Sequence, residues 1–161
     1  GSTVMTQLLP QWTLDGGAAE LVSRLTDPVQ RTRILAAMKI AMPQRWKDIV
    51  IAGVASAKNQ PMVGKDVDSL ASIAGSDPAE FALDLLVAEE GQVSIVSFNQ
   101  SESNLRALLI HPLCTVISDG FYVRGRPHPR LYGTFPSLLG DISRERKWMS
   151  LPEAIYRITG K

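Results

Sequence analysis

The chain has 161 residues, enough for one domain with a hydrophobic core or for part of a larger protein. Its 17 lysines and arginines balance 16 aspartates and glutamates, so the charge pattern excludes a basic surface for nucleic acid. The sequence contains no apolar run near the roughly 18 residues of a membrane span and no basic N-terminal segment typical of a signal peptide. A single cysteine excludes an internal disulfide, and we expect a cytoplasmic protein without nucleic-acid or membrane partners.

Helical and strand patterns alternate along the first part of the chain. Asp27 followed by Pro28 is typical of a helix start, and Asp77–Glu80 is a capping box with proline in the first turn. Asp48–Val54 is apolar and β-branched, as expected of a strand. The predicted elements are, in chain order, helices over 17–25 and 28–42, a strand over 48–54, helices over 66–74 and 78–90, and a strand over 92–98.

The later part of the chain continues the alternation. The predicted elements are a helix over 101–110, a strand over 114–118, and helices over 134–148 and 150–158. From the helix over 78–90 onward the order is helix, strand, helix, strand and helix, which is typical of parallel βα units. Either the helical first half covers the edges of this parallel sheet, or its remaining strands belong to further polypeptide.

The strand predicted over Cys114–Ser118 ends in Asp119 and Gly120. In parallel α/β proteins the carboxyl ends of strands carry the chemistry, so Asp119 is a candidate general base or metal ligand. Asp-Gly is equally typical of a turn in which the aspartate accepts backbone hydrogen bonds, and the spacing leaves both interpretations open. We expect Cys114, inside the apolar run, to be a small buried hydrophobic residue rather than a nucleophile.

The loop after Asp119 contains arginines and a histidine between prolines. Arg124, Arg126 and Arg130 form either a solvated basic loop or an anion site, because a guanidinium matches a carboxylate. His128 could face the same side as Asp119. The chain has 2 histidines and no His-x-His pair, whereas a catalytic zinc site usually needs three protein ligands. A metallo-hydrolase complete within this chain is therefore not predicted.

Several motifs occur together in this chain. They are Val116–Gly120, Arg126–Pro136 and Trp148–Ala154, with further matches in Gly1–Thr3, Leu8–Trp12, Ser76–Glu80, Phe98–Glu102 and Ile110–Pro112. Together they resemble the N-acyl-D-amino-acid deacylases, the D-aminoacylase-like members of the metal-dependent amidohydrolase superfamily. The resemblance covers nearly the whole chain, and it is most specific over residues 114–136 and weakest over 25–65.

The resemblance implies an α/β fold. The chain would be part of a (β/α)8 amidohydrolase barrel, its last βα units, with a small and largely helical α/β insertion subdomain. Residues 1–12 would form the end of a preceding barrel strand and its loop, and residues 13–65 the insertion. Residues 66–161 would form the C-terminal βα units, with the Asp119 strand as the eighth of the barrel.

The resemblance also implies roles for individual residues. Asp119 would bind the metal and move the proton of the hydrolytic water. Arg130 would bind the substrate carboxylate, and Ser2 would lie near the substrate. His128 is a further candidate for substrate binding because of its place in the loop after Asp119.

The family's His-x-His pair, its bridging cysteine and its other histidines are absent from this sequence. The resemblance therefore implies a fragment of a zinc-dependent enzyme that hydrolyses N-acyl-D-amino acids. We expect the fragment to be inactive by itself and to hold no zinc. The alternative is a non-catalytic interaction module, a homodimer that covers its open strand edges.

Overall fold

The structure is a computed structural model that describes residues 2–41, 45–120, 122 and 128–160. It divides into two compact units, Gly1–Phe98 and Asn99–Lys161. No helix in the described ranges is both long and apolar enough to cross a membrane. The division implied by the resemblance, into residues 1–12, 13–65 and 66–161, refers to an intact barrel and stays a prediction.

The N-terminal unit is built on a three-stranded sheet with β3 in the centre. The strands are β1 (Ser2–Val4), β2 (Ile49–Val54) and β3 (Val93–Ser97). The helices are α1 (Gly17–Thr26), α2 (Pro28–Ala41), α3 (Val67–Ala74) and α4 (Pro78–Ala88). Single turns of 3-10 helix occur at Met5–Leu8, Gln11–Leu14 and Trp46–Asp48, and a longer one at Ala57–Met62.

The direction of the strands corrects one prediction. Strand β3, which the sequence predicts to pair in parallel with the strand over 114–118, instead pairs antiparallel with both β1 and β2. The connection from β2 to β3 contains two helices, α3 and α4, rather than one. A single crossover helix returns the chain to the starting end of a strand, whereas a pair of helices leaves it at the opposite end.

Side-chain caps from Asp27, Asp66 and Asp77 begin three of these helices as the sequence predicts. Asp66 accepts the backbone N–H of Ser69 at 2.8 Å, and Asp77 caps α4 in the same manner. The capping box is only half formed, because Glu80 binds the guanidinium of Arg31 at 2.6 Å. Glu80 thus connects α4 to α2 instead of closing its own first turn.

The buried carboxylate of Glu89 stabilises the loop after β2. Glu89 is 3% exposed. It accepts hydrogen bonds from the N–H groups of Ala55 (2.6 Å) and Ser56 (2.8 Å), from the Ser56 hydroxyl, and from the Asn59 amide (2.6 Å). Burial by itself raises the pKa of Glu89, but the hydrogen bonds from Ser56, Asn59 and Ala55 outweigh it and lower that pKa.

The regular elements of the C-terminal unit are all helices within its described residues. Its elements are α5 (Glu102–Ile110), α6 (Arg130–Ser137), a π-helix (Leu138–Glu145) and α7 (Leu151–Thr159). The helix predicted over 134–148 therefore begins earlier and changes to π geometry at Leu138. The buried core consists of Leu138, Ile142 and Ala154, with Trp148 packed against it.

The strand predicted over Cys114–Ser118 is wrong for this structure. The segment makes no strand ladder within the described residues. Its backbone binds the end of α7 instead, with the N–H of Val116 donating to the carbonyl of Arg157 at 2.9 Å. Cys114 is only half-buried, which also corrects its predicted burial. A strand requires a neighbouring strand, and sequence pattern alone cannot show whether one is present.

Candidate functional site

Asp119 lies where the extended segment turns towards α6. Its φ of 45° is left-handed, a conformation that aspartate adopts more readily than most residues. The expected turn hydrogen bond is made by its neighbour, because the Ser118 hydroxyl accepts the N–H of Gly120 at 3.3 Å. The Asp119 carboxylate instead lies 3.1 Å from Nη1 of Arg130 and is largely exposed. The structure thus brings together Asp119 and Arg130, two of the candidate residues of the sequence analysis.

Gly120 allows this approach. A Cβ atom at position 120 would lie 3.0 Å from the Cα of Leu131 and 3.2 Å from its Cδ1. Contacts this short to a backbone atom require a shift of the chain. The absence of a side chain at Gly120 therefore lets the turn pack against the first turn of α6, beside Arg130.

The start of α6 is held by the backbone and side chain of His128. Nδ1 of His128 accepts the N–H of Arg130 at 3.0 Å, and its carbonyl accepts the N–H of Leu131 at 3.0 Å. The N–H groups of Tyr132 and Gly133 both donate to the carbonyl of Pro129, at 3.1 and 2.7 Å. Burial and the positive charge of Arg130 lower the pKa of His128, which favours the neutral ring that such an acceptor requires.

Two tyrosines lie close in sequence to this pair of charges. The hydroxyl of Tyr122 is hydrogen-bonded to Tyr132 and raises the pKa of Tyr132. Both rings are more than half exposed. Sequence pattern alone does not indicate this contact, because Tyr122 lies outside the predicted helices and strands.

The described residues do not by themselves fit a zinc site. Within residues 2–41, 45–120, 122 and 128–160, no three side chains of His, Cys, Asp or Glu lie close enough to hold a metal ion. Asp119 faces the cation of Arg130, which competes with any metal for the same carboxylate. Ser2 lies in β1 of the other unit, and its nearness to substrate stays a prediction. Arg124 and Arg126 lie outside the described residues.

Comparison with solved structures shows the class of fold. No family model matches the chain. A D-aminoacylase described as defining a novel subset of amidohydrolases superposes with a TM-score of 0.59 and 28% identity, over 70% of this chain and 22% of that chain. The N-acyl-D-glutamate deacylase from Bordetella bronchiseptica, complexed with zinc and a phosphonate inhibitor, gives 0.63 and 31%, over 72% of this chain and 23% of that chain. The fold of this chain is therefore similar to part of an amidohydrolase.

Comparison with curated sequences gives the particular group. The N-acyl-D-aspartate deacylase of Alcaligenes xylosoxydans xylosoxydans is 36% identical over 84 residues, 51% of this chain and 17% of the relative. The D-aminoacylase of the same organism is 31% identical over 97 residues, 60% of this chain and 19% of the relative. The resemblance to the N-acyl-D-amino-acid deacylases is thereby confirmed. The chain spans less than a fifth of the length of these two curated relatives.

Proposed function

We propose that this chain is a segment of an N-acyl-D-amino-acid deacylase and that Asp119 and Arg130 belong to its active site. The 3.1 Å contact between their side chains, at an exposed turn, carries the proposal. An N-acyl-D-amino acid has a carboxylate and an amide a few bonds apart. The guanidinium of Arg130 can bind the substrate carboxylate. The adjacent carboxylate of Asp119 can act as the base for reaction at the substrate amide.

The contact between these side chains suggests how substrate and site would interact. The substrate carboxylate would displace Asp119 from Arg130 and take two hydrogen bonds from the guanidinium. The released Asp119 carboxylate would accept a proton from the attacking water and deliver it to the leaving amine. The parent enzyme would be zinc-dependent, and the other metal ligands would come from polypeptide outside the described residues.

Carboxylate binding can be tested on the chain as it is. N-acetyl-D-alanine is expected to shift the Arg130 side-chain signals in NMR spectra at millimolar concentrations, whereas N-acetyl-D-alaninamide, which lacks the carboxylate, is not. In Arg130→Met, the acid should no longer shift the backbone amide signals at the start of α6. Asp119→Asn should strengthen binding by up to about fivefold, since an exposed ion pair contributes about 0–1 kcal/mol and here competes with the ligand. Equal responses to acid and amide would contradict the assigned role of Arg130.

Catalysis is tested in the longer protein of which we propose this chain to be a segment. There Asp119→Asn is expected to lower kcat by about 10²–10⁴, the usual contribution of a general base. Arg130→Met should instead raise KM for acids. The chain by itself should hydrolyse no N-acetyl-D-amino acid. Stoichiometric zinc together with hydrolysis by the isolated chain would refute the fragment interpretation.

A second candidate function, a homodimeric interaction module, is favoured by the segment Leu113–Ser118. Side-chain exposure alternates along it, with Leu113 (87%) and Ile117 (76%) facing outward. The backbone groups of its even-numbered residues face α7, because the carbonyl of Cys114 and the N–H of Val116 are hydrogen-bonded to Arg157. Among the described residues, the N–H groups of Thr115 and Ile117 donate to no protein acceptor. One backbone edge of the segment is thus covered by α7, and the opposite edge is open for pairing with a strand.

Two copies of this uncharged segment could pair antiparallel about a twofold axis at Thr115. Opposed threonines of a hydrogen-bonded pair would lie about 5.5 Å apart, within the range that a disulfide can bridge. The double variant Cys114→Ala/Thr115→Cys should therefore form a covalent dimer on oxidation. The control Cys114→Ala/Ile73→Cys, with a cysteine at another exposed position, should not. A monomer in sedimentation at all concentrations would exclude this candidate.

A further inference from the structure

We propose that His128 is a positioning residue for Arg130, which it holds in place by accepting the backbone N–H of Arg130 at Nδ1. The inference rests on the proposed function for the role of Arg130 as the carboxylate-binding group. It assigns His128 a task distinct from contact with substrate. His128 would act through Arg130 and not on the reacting atoms.

The hydrogen bonds at the start of α6 support this assignment. The first N–H groups of a helix lack partners within the helix. At the start of α6, the N–H groups of Leu131, Tyr132 and Gly133 donate to the carbonyls of His128 and Pro129. The N–H of Arg130 has the imidazole of His128 as its acceptor, at 3.0 Å. The side chain of His128 therefore fixes the residue that carries the guanidinium.

The link between the two residues is short and stiff. Pro129 separates them, and its ring restricts its φ, which is −53° here. With the ring of His128 bound to the N–H of Arg130, little freedom remains at the Arg130 Cα. On the other side the guanidinium of Arg130 contacts Asp119. His128 thus fixes the backbone of Arg130, and Asp119 contacts its guanidinium.

The chemistry of the bond requires a neutral ring with its proton on Nε2. A protonated Nδ1 cannot accept a hydrogen bond. Burial and the charge of Arg130 hold the pKa of His128 below its ordinary value, so the acceptor persists as the pH falls and is lost only below that ordinary value. Positioning matters because a displacement of about 1 Å in an active site can lower the reaction rate about 10²-fold.

NMR on the intact chain tests the inference with two substitutions. His128→Ala should speed amide exchange at Arg130 about fivefold, as expected for loss of a capping bond of about 1 kcal/mol. His128→Asn should restore protection, because its amide oxygen can accept the same N–H. In the wild type, protection should also fall as the pH drops through the lowered pKa of His128, and the Asn variant should show no such step.

His111→Ala is the matched control. Nδ1 of His111 accepts the N–H of Leu113 at 3.3 Å, a similar bond at another site. This variant should leave the Arg130 amide unchanged. An Arg130 amide that exchanges equally in wild type and His128→Ala, or that Asn does not rescue, would overturn the inference.

The binding of N-acetyl-D-alanine separates this inference from the proposed function. If both hold, His128→Ala weakens the acid's effect on the Arg130 side chain and His128→Asn restores it. If the wild type responds equally to the acid and to its amide, the proposed function fails. Faster amide exchange at Arg130 in His128→Ala would in that case still establish the hydrogen bond that Nδ1 of His128 accepts. Acid binding that is identical in wild type and His128→Ala would refute the positioning role alone.

Discussion

Replacing Arg157 by methionine should release the extended segment that leads to Asp119. Arg157 is 5% exposed, although it is charged. Its Nη1 donates to the carbonyls of His111 and Cys114, and its Nη2 contacts Glu153 at 2.7 Å. The carbonyl of Arg157 itself accepts the N–H of Val116. One residue of α7 therefore supplies most of the polar contacts that hold the segment.

The expected loss of stability is large for a unit of this size. A hydrogen bond that involves a charged group contributes about 1.5–3 kcal/mol, and some of the freed carbonyls can bind water instead. We therefore expect Arg157→Met to lower the free energy of unfolding of the C-terminal unit by about 2–4 kcal/mol. A unit of roughly sixty residues has about 3–9 kcal/mol in total. The substitution should remove a large share of this stability while the methionine still fills the space.

Urea unfolding followed by ¹⁹F NMR of fluorotryptophan-labelled protein resolves the two units. Trp148 packs on the C-terminal core, whereas Trp12 and Trp46 pack on the N-terminal core. Only the Trp148 midpoint should fall in Arg157→Met. Arg144→Met, which removes an exposed arginine from the same unit, is the control and should change no midpoint. A Trp148 midpoint equal to that of the wild type would refute the reasoning.

Two further substitutions test the N-terminal unit and the turn at Asp119. Glu89→Gln should lower the stability of its unit by about 1–3 kcal/mol in urea unfolding and expose the amides of Ala55 and Ser56 to exchange. Because the folded pKa of Glu89 is lowered, its contribution is complete above the ordinary glutamate pKa and disappears as the pH falls through the lowered value; the Gln variant should lack this pH dependence. Gly120→Ala should displace the turn from Leu131 and weaken the response of the chain to N-acetyl-D-alanine, whereas an unchanged response would show that the close contact is not needed.

Local signals in the sequence predicted the N-terminal unit well. The caps at Asp66 and Asp77 are satisfied within a few residues, so the helices that follow begin where the sequence indicates. The apolar alternation of β3 is likewise local. The antiparallel direction of β3 was not predicted, because it depends on how α3 and α4 pack between two strands. That packing involves residues far apart in sequence.

The candidate site shows the same division. Asp119 and Arg130 could be found from residue type and spacing, because a carboxylate after an apolar run and an arginine after prolines are local features. The hydrogen bond from the N–H of Arg130 to His128 was not foreseen, since histidine is not among the usual helix caps. The missing strand at Cys114–Ser118 has a different cause. Its sequence has the strand pattern, but pairing needs a neighbour that the described chain does not provide.

The two interpretations of the open segment depend on the same physical property. The N–H groups of Thr115 and Ile117, which have no acceptor among the described residues, lie beside exposed apolar side chains and can be satisfied by a strand from longer polypeptide or by a second copy. Only pairing with a strand from longer polypeptide would also bring further metal ligands towards the turn at Asp119. Since Arg130 already neutralises that carboxylate in the described chain, the chemistry of Asp119 depends on what displaces the arginine. A substrate carboxylate can do so by exchanging one anion for another, whereas strand pairing alone cannot. The deacylase interpretation therefore accounts for the contact between Asp119 and Arg130, and the dimer interpretation accounts only for the strand edge.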